Sequence, residues 1–428
     1  MRMKPDARGF DMGDQATDST MDAATPAGVA GDRDIARWRL HSQLLAAPVA
    51  SAEHVVSSLL AVQAENPSQS AWAVATRTTT PRQDDLAGEI ASGRVLRTHV
   101  LRPTWHYVHA DDARWLIELT APRVLPVIDQ QIRPLADELA RLIDSVTSIL
   151  AETPDRTRND LAGELGENGP ALTGQQLMLL MAHLELHALV CSGVPRDGEH
   201  TYALFADRVP APRQLDRDES LAELALRYFT SHGPATERDL AYWATLTLTD
   251  VRRGLAAAAD RLGSFEHDGR TFWHAPGDAP DATAPAGHLL QVLDEMYRGY
   301  QDSRWMLEAE QVMPRAREAA AGMALVDAQI VAGMRRAVGP KAVTFALLPF
   351  RELHARVRVD PRRRRAVRRL PRPRTASRGR RRMTRAYVSL VGRMTRRATF
   401  SAASAGTSSV IHGPVPSLGS MMPSSSQV

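Results

Sequence analysis

Leu59-Leu60-Ala61-Val62-Gln63-Ala64-Glu65-Asn66-Pro67-Ser68-Gln69 is the stretch on which the reading of this chain turns. An apolar run ends in two long polar side chains, Gln63 and Glu65, two positions apart. Pro67 disfavours helical geometry at Asn66. Asn66 and Pro67 therefore read as the N-cap and first position of a new helix, with Gln69 at its third. Gln63 is expected at the end of the preceding helix and Glu65 in the connecting turn, where residues i and i+2 can face the same way. The start of the next helix favours an ionised carboxylate nearby. A carboxylate beside a carboxamide suits stabilisation of a developing cation. A solvated turn glutamate that assists the next helix is the plain alternative.

Upstream, Asp34 is expected to cap a helix to about Ala46, and Ser51 to open one that buries Val55, Val56, Leu59 and Leu60. Downstream, a third helix carries Trp72, and Asp84 to Ala91 forms a fourth. Val95–Leu101 and Thr104–His109 read as strands joined at Arg102-Pro103. Short helices followed by a hairpin are the order of a winged helix-turn-helix unit. The pattern returns with helices over Pro126–Leu150, 156–166 and Thr173–His187, then strands across Gly193–Gly198. It returns again with helices over Leu221–Ser231, Thr236–Trp243 and Leu248–Leu262, then a hairpin across Asp268-Gly269-Arg270. No fixed sequence period links the three.

The expected fold class is mainly α with small β-hairpins (α+β): three tandem winged helix-turn-helix units and a small β-rich C-terminal module. The units span 34–125, with the Gln63 motif, then 126–212 and 213–278; the module spans 285–353, with a turn at Val326–Ile330. Residues 1–33 and 354–428 lack periodicity and read as disordered.

Charge is unevenly distributed. From His354 onward there are 18 Arg, no Lys and one acid, Asp360, while the first 353 residues hold 35 basic and 48 acidic residues. The body is thus acidic, near −13, and the tail basic, near +17. The tail has two readings: a basic nucleic-acid arm, or out-of-frame translation of GC-rich DNA, which its Arg, Pro, Ser and Gly content favours. The single cysteine, Cys191, lies in an apolar context and allows no intrachain disulfide. This fits a reducing, cytoplasmic setting, nucleoid-associated if the chain binds DNA. No window approaches a membrane span. His183 and His187 share a helix face without a third ligand, so no metal is expected. Walker A, G-x-G-x-x-G and G-x-S-x-G patterns are absent from the sequence.

A second unusual stretch is Leu101-Arg102-Pro103-Thr104-Trp105-His106-Tyr107. In a strand, Arg102, Thr104 and His106 share one face and Trp105 and Tyr107 the other. Arg and Thr can hold phosphate, and His can orient water or donate to phosphate; a solvated polar face over an aromatic core is the plain alternative. Asp294, Glu295 and Arg304, around Tyr297 and Tyr300, form a polar cluster that either packs the C-terminal module or touches DNA.

Leu60 to Pro67, Leu101 to His106, Leu184 to Gly193 and Leu293-Asp294-Glu295 together resemble the winged-helix proteins of the AlkZ and YcaQ type. The resemblance runs over about 34–352, in order. It implies a monofunctional DNA glycosylase that removes alkylated, N7-substituted purines or unhooks interstrand crosslinks. It also implies a Gln, apolar, Gln-or-Asp motif, onto which Gln63 and Ala64 fall. Glu65 departs from both usual forms, keeping the carboxylate and adding a methylene. The implied catalytic residues are Gln63 and Glu65. The expected partner is double-stranded DNA, bound by a monomer without metal or other cofactor. Because the body is acidic, DNA contact is expected to rest on local cations: Arg77, Arg97, Arg102, Arg335 and Arg336, with Thr104 and His106. The alternatives are a non-catalytic winged-helix binder or regulator, or a damaged family member.

Overall fold

The computed structural model describes residues 26–350 except 83, 168, 170, 282–285, 292, 309–321 and 339–342. The expectations for 1–25 and for the segment from 354 onward lie outside the described residues. The chain is a mixed α and β fold.

One order of elements occurs three times. First come α1 (Asp32–Ser42), then α2 (Ala52–Leu59), β1 (Ala61–Gln63), α3 (Pro67–Ala75), α4 (Asp85–Ala91), β2 (Val95–His99) and β3 (Trp105–His109). The strands form an antiparallel sheet in the order β1-β3-β2. After α5 (Ala110–Ile132), the order returns as α6 (Leu139–Glu152), β4 (Arg156–Thr157), α7 (Arg158–Glu167), α8 (Gly174–Leu186), β5 (Val190–Ser192) and β6 (Thr201–Leu204), with the sheet again running first-third-second. A short α9 (Phe205–Arg208) leads to α10 (Arg217–His232), α11 (Glu237–Ala244), α12 (Leu248–Ala258), β7 (Gly263–His267) and β8 (Arg270–His274). Here the first strand is reduced to one bridge, Ala235 with Trp273.

The local chemistry explains most boundaries. Ser51 accepts from the His54 amide, and Asn66 from that of Gln69, with Pro67 opening α3. Thr173, Asp216 and Thr236 make full capping boxes. The β7–β8 turn has Asp268 and Gly269 at positive φ, the geometry of a tight two-residue hairpin.

Three expectations are corrected. The first helix begins at Asp32, so Asp34 lies in its first turn rather than at its cap. Gln63 belongs to a strand instead of a helix end, because Leu60 at φ 66° swings the chain out of α2 into the β3 ladder. The helix expected from Pro126 starts at Ala110 and carries Pro122 and Pro126 inside it. Trp115, Leu116, Leu119, Val124, Ile128 and Ile132 are all buried on it. Burial of that stripe outweighs the helix-breaking tendency of the prolines.

The C-terminal sheet runs β12 (Val343–Pro349), β11 (Gln329–Val338), β10 (Gly322–Val326) and β9 (Gly287–Leu290). Between β9 and β10 a single turn, α13 (Glu295–Arg298), is capped by Asp294. The β10–β11 turn falls at Asp327-Ala328, both at positive φ, within the expected Val326–Ile330. The α1 helix shares its core with this sheet and with β7–β8, through Ile35, Trp38, Phe265, Phe272, Met296 and Leu325. Arg37 also grips Asp327 through two bonds of 2.6 and 2.7 Å. The two ends of the described chain thus close on one another, which brings Asp294 and Glu295 against the first sheet. Among the described residues, no helix is long and apolar enough to cross a membrane.

Candidate functional site

Gln63, His106 and Thr98 lie in register across β1, β3 and β2. Directly paired residues in an antiparallel sheet share a face, so amide, imidazole and hydroxyl form one polar row. All three are buried. The Gln63 Oε1 and Thr98 Oγ1 atoms have no hydrogen-bond partner among the described residues. Arg102 Nε, Thr104 Oγ1 and His232 Nε2 are likewise unpartnered. Buried polar atoms are rarely left so, and a concentration of them marks a place for water or an outside group.

The row is clamped from several directions. The Gln63 backbone N–H donates to Glu295 Oε1 at 2.9 Å, and the Ala64 backbone N–H to the Trp105 carbonyl at 2.7 Å. Arg97 Nε donates to the Ala64 carbonyl at 3.0 Å, with its guanidinium 4.5 Å from the centroid of the Trp105 ring. The ladder therefore reaches Ala64, and Glu65 is the first residue beyond it. Glu65 is exposed and has no hydrogen bond or ion pair among the described residues. Gln63 is thus a fixed group inside the fold, while Glu65 stands at its rim.

Glu295 is the hub on the buried side. Trp243 Nε1 donates to its Oε2 at 2.9 Å, His232 Nε2 stands 3.7 Å from the same atom, and Arg102 lies 4.0 Å from Oε1. Burial alone would raise this carboxyl; the His232 ring and the Arg102 charge outweigh it and hold the group at about 2. Burial, with Arg102 beside it, lowers His106 to about 3. His106 Nδ1 contacts the Thr104 carbonyl at 3.0 Å and Nε2 faces Arg102 at 3.2 Å. The network assigns a neutral ring that donates from Nδ1 and accepts at Nε2. It is a hydrogen-bonding group, since a pKa near 3 makes it a poor reservoir of protons at neutral pH.

Arg102, Thr104 and His106 do come together, although not as a strand face. Only His106 is in β3; Arg102 and Thr104 lie in a bend that Leu101 opens at φ 65°. Leu60 and Leu293 also take positive φ, at 66° and 68°. Three leucines in a region that disfavours branched side chains thus immediately precede β1, Arg102 and Asp294. Such strain costs about 1–3 kcal/mol per residue and gathers where function requires a particular geometry.

Two expected DNA contacts are corrected. Arg77 is 1% exposed and pairs with Asp294 at 2.8 and 3.0 Å, while also donating to Gln43 and Ala73. Arg97 is buried under the Gln63 strand. Both hold the site in place, because a guanidinium's five donors can stitch together segments of buried backbone. Arg336 is half-buried, donates to Ser68 and lies over Trp72, whereas Arg335 is exposed on β11. The polar cluster at Asp294, Glu295 and Arg304 turns out to belong to the site. His232, Trp243 and Thr98 join it without any local sequence signal to mark them. The first two arrive from α10 and α11, far along the chain.

Elsewhere, His183 contacts Asp129 at 3.1 Å and packs on His187. A cleft of about 460 Å³ opens between α11, α12 and the β7–β8 hairpin. Its Arg252 and Arg270 are already paired with Glu237 and Asp302, which leaves little chemistry to be done there.

A family model described as DNA glycosylase AlkZ-like matches residues 56–397, past the end of the described residues into the Arg-rich segment. An interstrand DNA cross-link repair glycosylase from Streptomyces sahachiroi is 24% identical over 292 residues, covering 62% of this chain and 76% of the relative. The solved structure of the Streptomyces sahachiroi DNA glycosylase AlkZ superposes with a TM-score of 0.59 at 20% identity, over 76% of this chain and 92% of that one.

Proposed function

Because the chain belongs to the AlkZ-like DNA glycosylase family, we propose that Gln63 and Glu65 carry its base-excision chemistry and that its substrates are N7-substituted purines and crosslinked bases in duplex DNA. The three α-β-α-α-β-β repeats are, in this reading, winged helix-turn-helix units of a monomer. The observation that carries the proposal is the buried Gln63 amide, with its carbonyl oxygen unpartnered beside neutral His106, on a strand that runs out to the free carboxylate of Glu65.

An N7-substituted purine is already cationic, so it departs with little help from an acid. The sugar left behind passes through an oxocarbenium-like state. Preorganised groups aimed at a developing charge supply most of the rate enhancement in many active sites. Glu65 stabilises that cation and aligns or deprotonates the attacking water. Gln63 holds the water or the sugar by hydrogen bonds, its strand held still by Glu295, Arg97 and Trp105. Glu295 adds a fixed negative charge behind Gln63, partly offset by Arg102. The scheme parallels the carboxylate logic of sugar hydrolases.

Single-turnover release of 7-methylguanine from a duplex tests the proposal. Glu65→Gln is expected to slow release about 10²-fold or more, the usual range for a group acting on the transition state. Release at the wild-type rate would remove Glu65 from the mechanism.

A further inference from the structure

Beside the Gln63 row, three guanidiniums gather on one tyrosine. Arg102 and Arg304 lie 5.9 and 5.6 Å from the Tyr242 ring centroid, and the Arg298 charge also acts on the Tyr242 phenol. Arg304 and Arg298 also lie over Tyr297, at 4.5 and 6.0 Å. Neutral partners hold the cluster in place: Arg304 donates to the Tyr300 carbonyl, and Arg102 to the Arg298 carbonyl at 3.3 Å. Among the described residues, neither Arg298 nor Arg304 forms an ion pair. Glu295, 4.0 Å from Arg102, is the carboxylate that this cluster meets, and it is shared with His232 and Trp243.

Convergent cations without matching anions repel one another, and burial amplifies the cost. Such an arrangement is stable when an anion completes it. The local potential leaves a mark on Tyr242: burial raises its phenol, yet Arg102, Arg304 and Arg298 together bring it below its ordinary value. Arg298, Arg304 and Tyr242 are half-buried, so the cluster opens to solvent. Arg102 Nε, inside it, has no partner among the described residues.

We infer that Arg102, Arg298 and Arg304, arranged around Tyr242, form a seat for a backbone phosphodiester of the DNA strand, next to the Gln63 row. Arg102 contacts His106, which pairs with Gln63, so a phosphate seated there lies beside the nucleotide presented to that row. The inference rests on the reading of the Gln63 row as the excision site. An acidic body makes such a local seat necessary, since the overall field does not favour DNA.

The test is fluorescence anisotropy of the full chain on an undamaged labelled duplex, across a salt series. Arg298→Gln/Arg304→Gln is expected to weaken binding about 10- to 100-fold and to reduce the log–log salt slope by about 0.9 for each phosphate no longer neutralised. Arg298→Lys/Arg304→Lys, which keeps the charge, is expected to restore most of the slope. A control pair, Arg114→Gln/Arg141→Gln, removes the same charge from α5 and α6, and a slope change equal to that of the test pair would overturn the inference by making the effect one of net charge. An unchanged slope in the glutamine pair overturns it directly. If that pair melts well below wild type, Arg298→Gln alone decides by the same slope criterion. Wild type that excises 7-methylguanine while the arginine variants bind normally refutes the seat alone; wild type that does neither refutes the underlying reading.

Discussion

The first and third repeats share an order of helices and a closing hairpin, yet differ in the strand that enters the sheet. In the first, the entering strand places Gln63 opposite His106, both buried, with the amide oxygen unpartnered. In the third, the entering strand is the single bridge of Ala235 to Trp273. The bridge joins a methyl side chain to an indole, and Arg252 and Arg270 of the nearby cleft are already paired. The second repeat, with Thr157 opposite Thr201, is intermediate. The topology is therefore a frame, and chemistry arises where the frame holds polar groups that nothing inside the protein satisfies. Function resides in such sites and not in the fold that carries them.

The C-terminal module touches both the first and the third repeat. Glu295 accepts from the Gln63 backbone N–H, and Arg77 with Asp294 fixes the turn that delivers Glu295. His232 and Trp243 of the third repeat press on the other side of that carboxylate. The third repeat thus acts as a wall for the site in the first. Gly299 makes that approach possible: a Cβ there would come within 2.7 Å of His232 Cδ2 and 2.6 Å of the Glu295 carbonyl.

The comparison can be broken most directly at Gln63. Gln63→Ala removes the unpartnered side-chain amide from the first repeat, and single-turnover excision is expected to fall about 10²- to 10³-fold. Unchanged excision would mean that the unpartnered amide is incidental. Arg77→Ala tests the delivery of Glu295. It leaves Asp294 buried without its partner and is expected to cost about 3–5 kcal/mol of unfolding free energy, read by chemical denaturation. A loss below about 1 kcal/mol would show that the module holds its place without the pair.

Ala235→Gln places a long amide on the entering bridge of the third repeat. A long amide beside Trp273 is overpacked and unsatisfied, so about 1–3 kcal/mol of stability is expected to be lost. No excision activity is expected to appear at that repeat in a Gln63→Ala background, and rescue there would contradict the need for the Glu295 clamp. The smallest effect is in pH. Glu295 titrates below its ordinary range, so its stabilising contribution is complete above the ordinary carboxylate value and is lost as pH falls towards about 2. His106 is buried neutral with a value near 3, so the unfolded chain takes up protons first as pH drops below about 6.5. Both contributions have the same sign: melting temperature is expected to decline between pH 7 and pH 4. Glu295→Gln should remove the lower part of that decline, and an unaltered curve would dissociate Glu295 from it.

The legible part of this molecule lies in short-range patterns. Asn66-Pro67, Ser51, Thr173 and Thr236 each announce a helix start, because a cap is a bond between near neighbours. The β2–β3, β5–β6 and β7–β8 hairpins are marked by their turns. Gln63 and Glu65 stand out as polar residues ending an apolar run. What the linear pattern misleads about has distant causes. Arg77 and Arg97 look like free cations because nothing local shows that Asp294 and the Ala64 carbonyl lie against them. The boundary expected at Pro126 does not hold because a continuous buried stripe outweighs a local breaker.

The sequence by itself determined most of the helices, the closing hairpins, the repeated helix-and-hairpin plan and the polar pair Gln63 and Glu65. These follow from backbone capping, turn geometry and apolar spacing, which act over a few residues. Only the tertiary structure decided that Gln63 lies on a strand beside His106 rather than at a helix end, that Glu295, His232 and Trp243 stand behind it, and that Glu65 remains at the rim. Those facts depend on burial and on charges brought together from distant parts of the chain, and a linear pattern carries no record of which distant groups will desolvate one another.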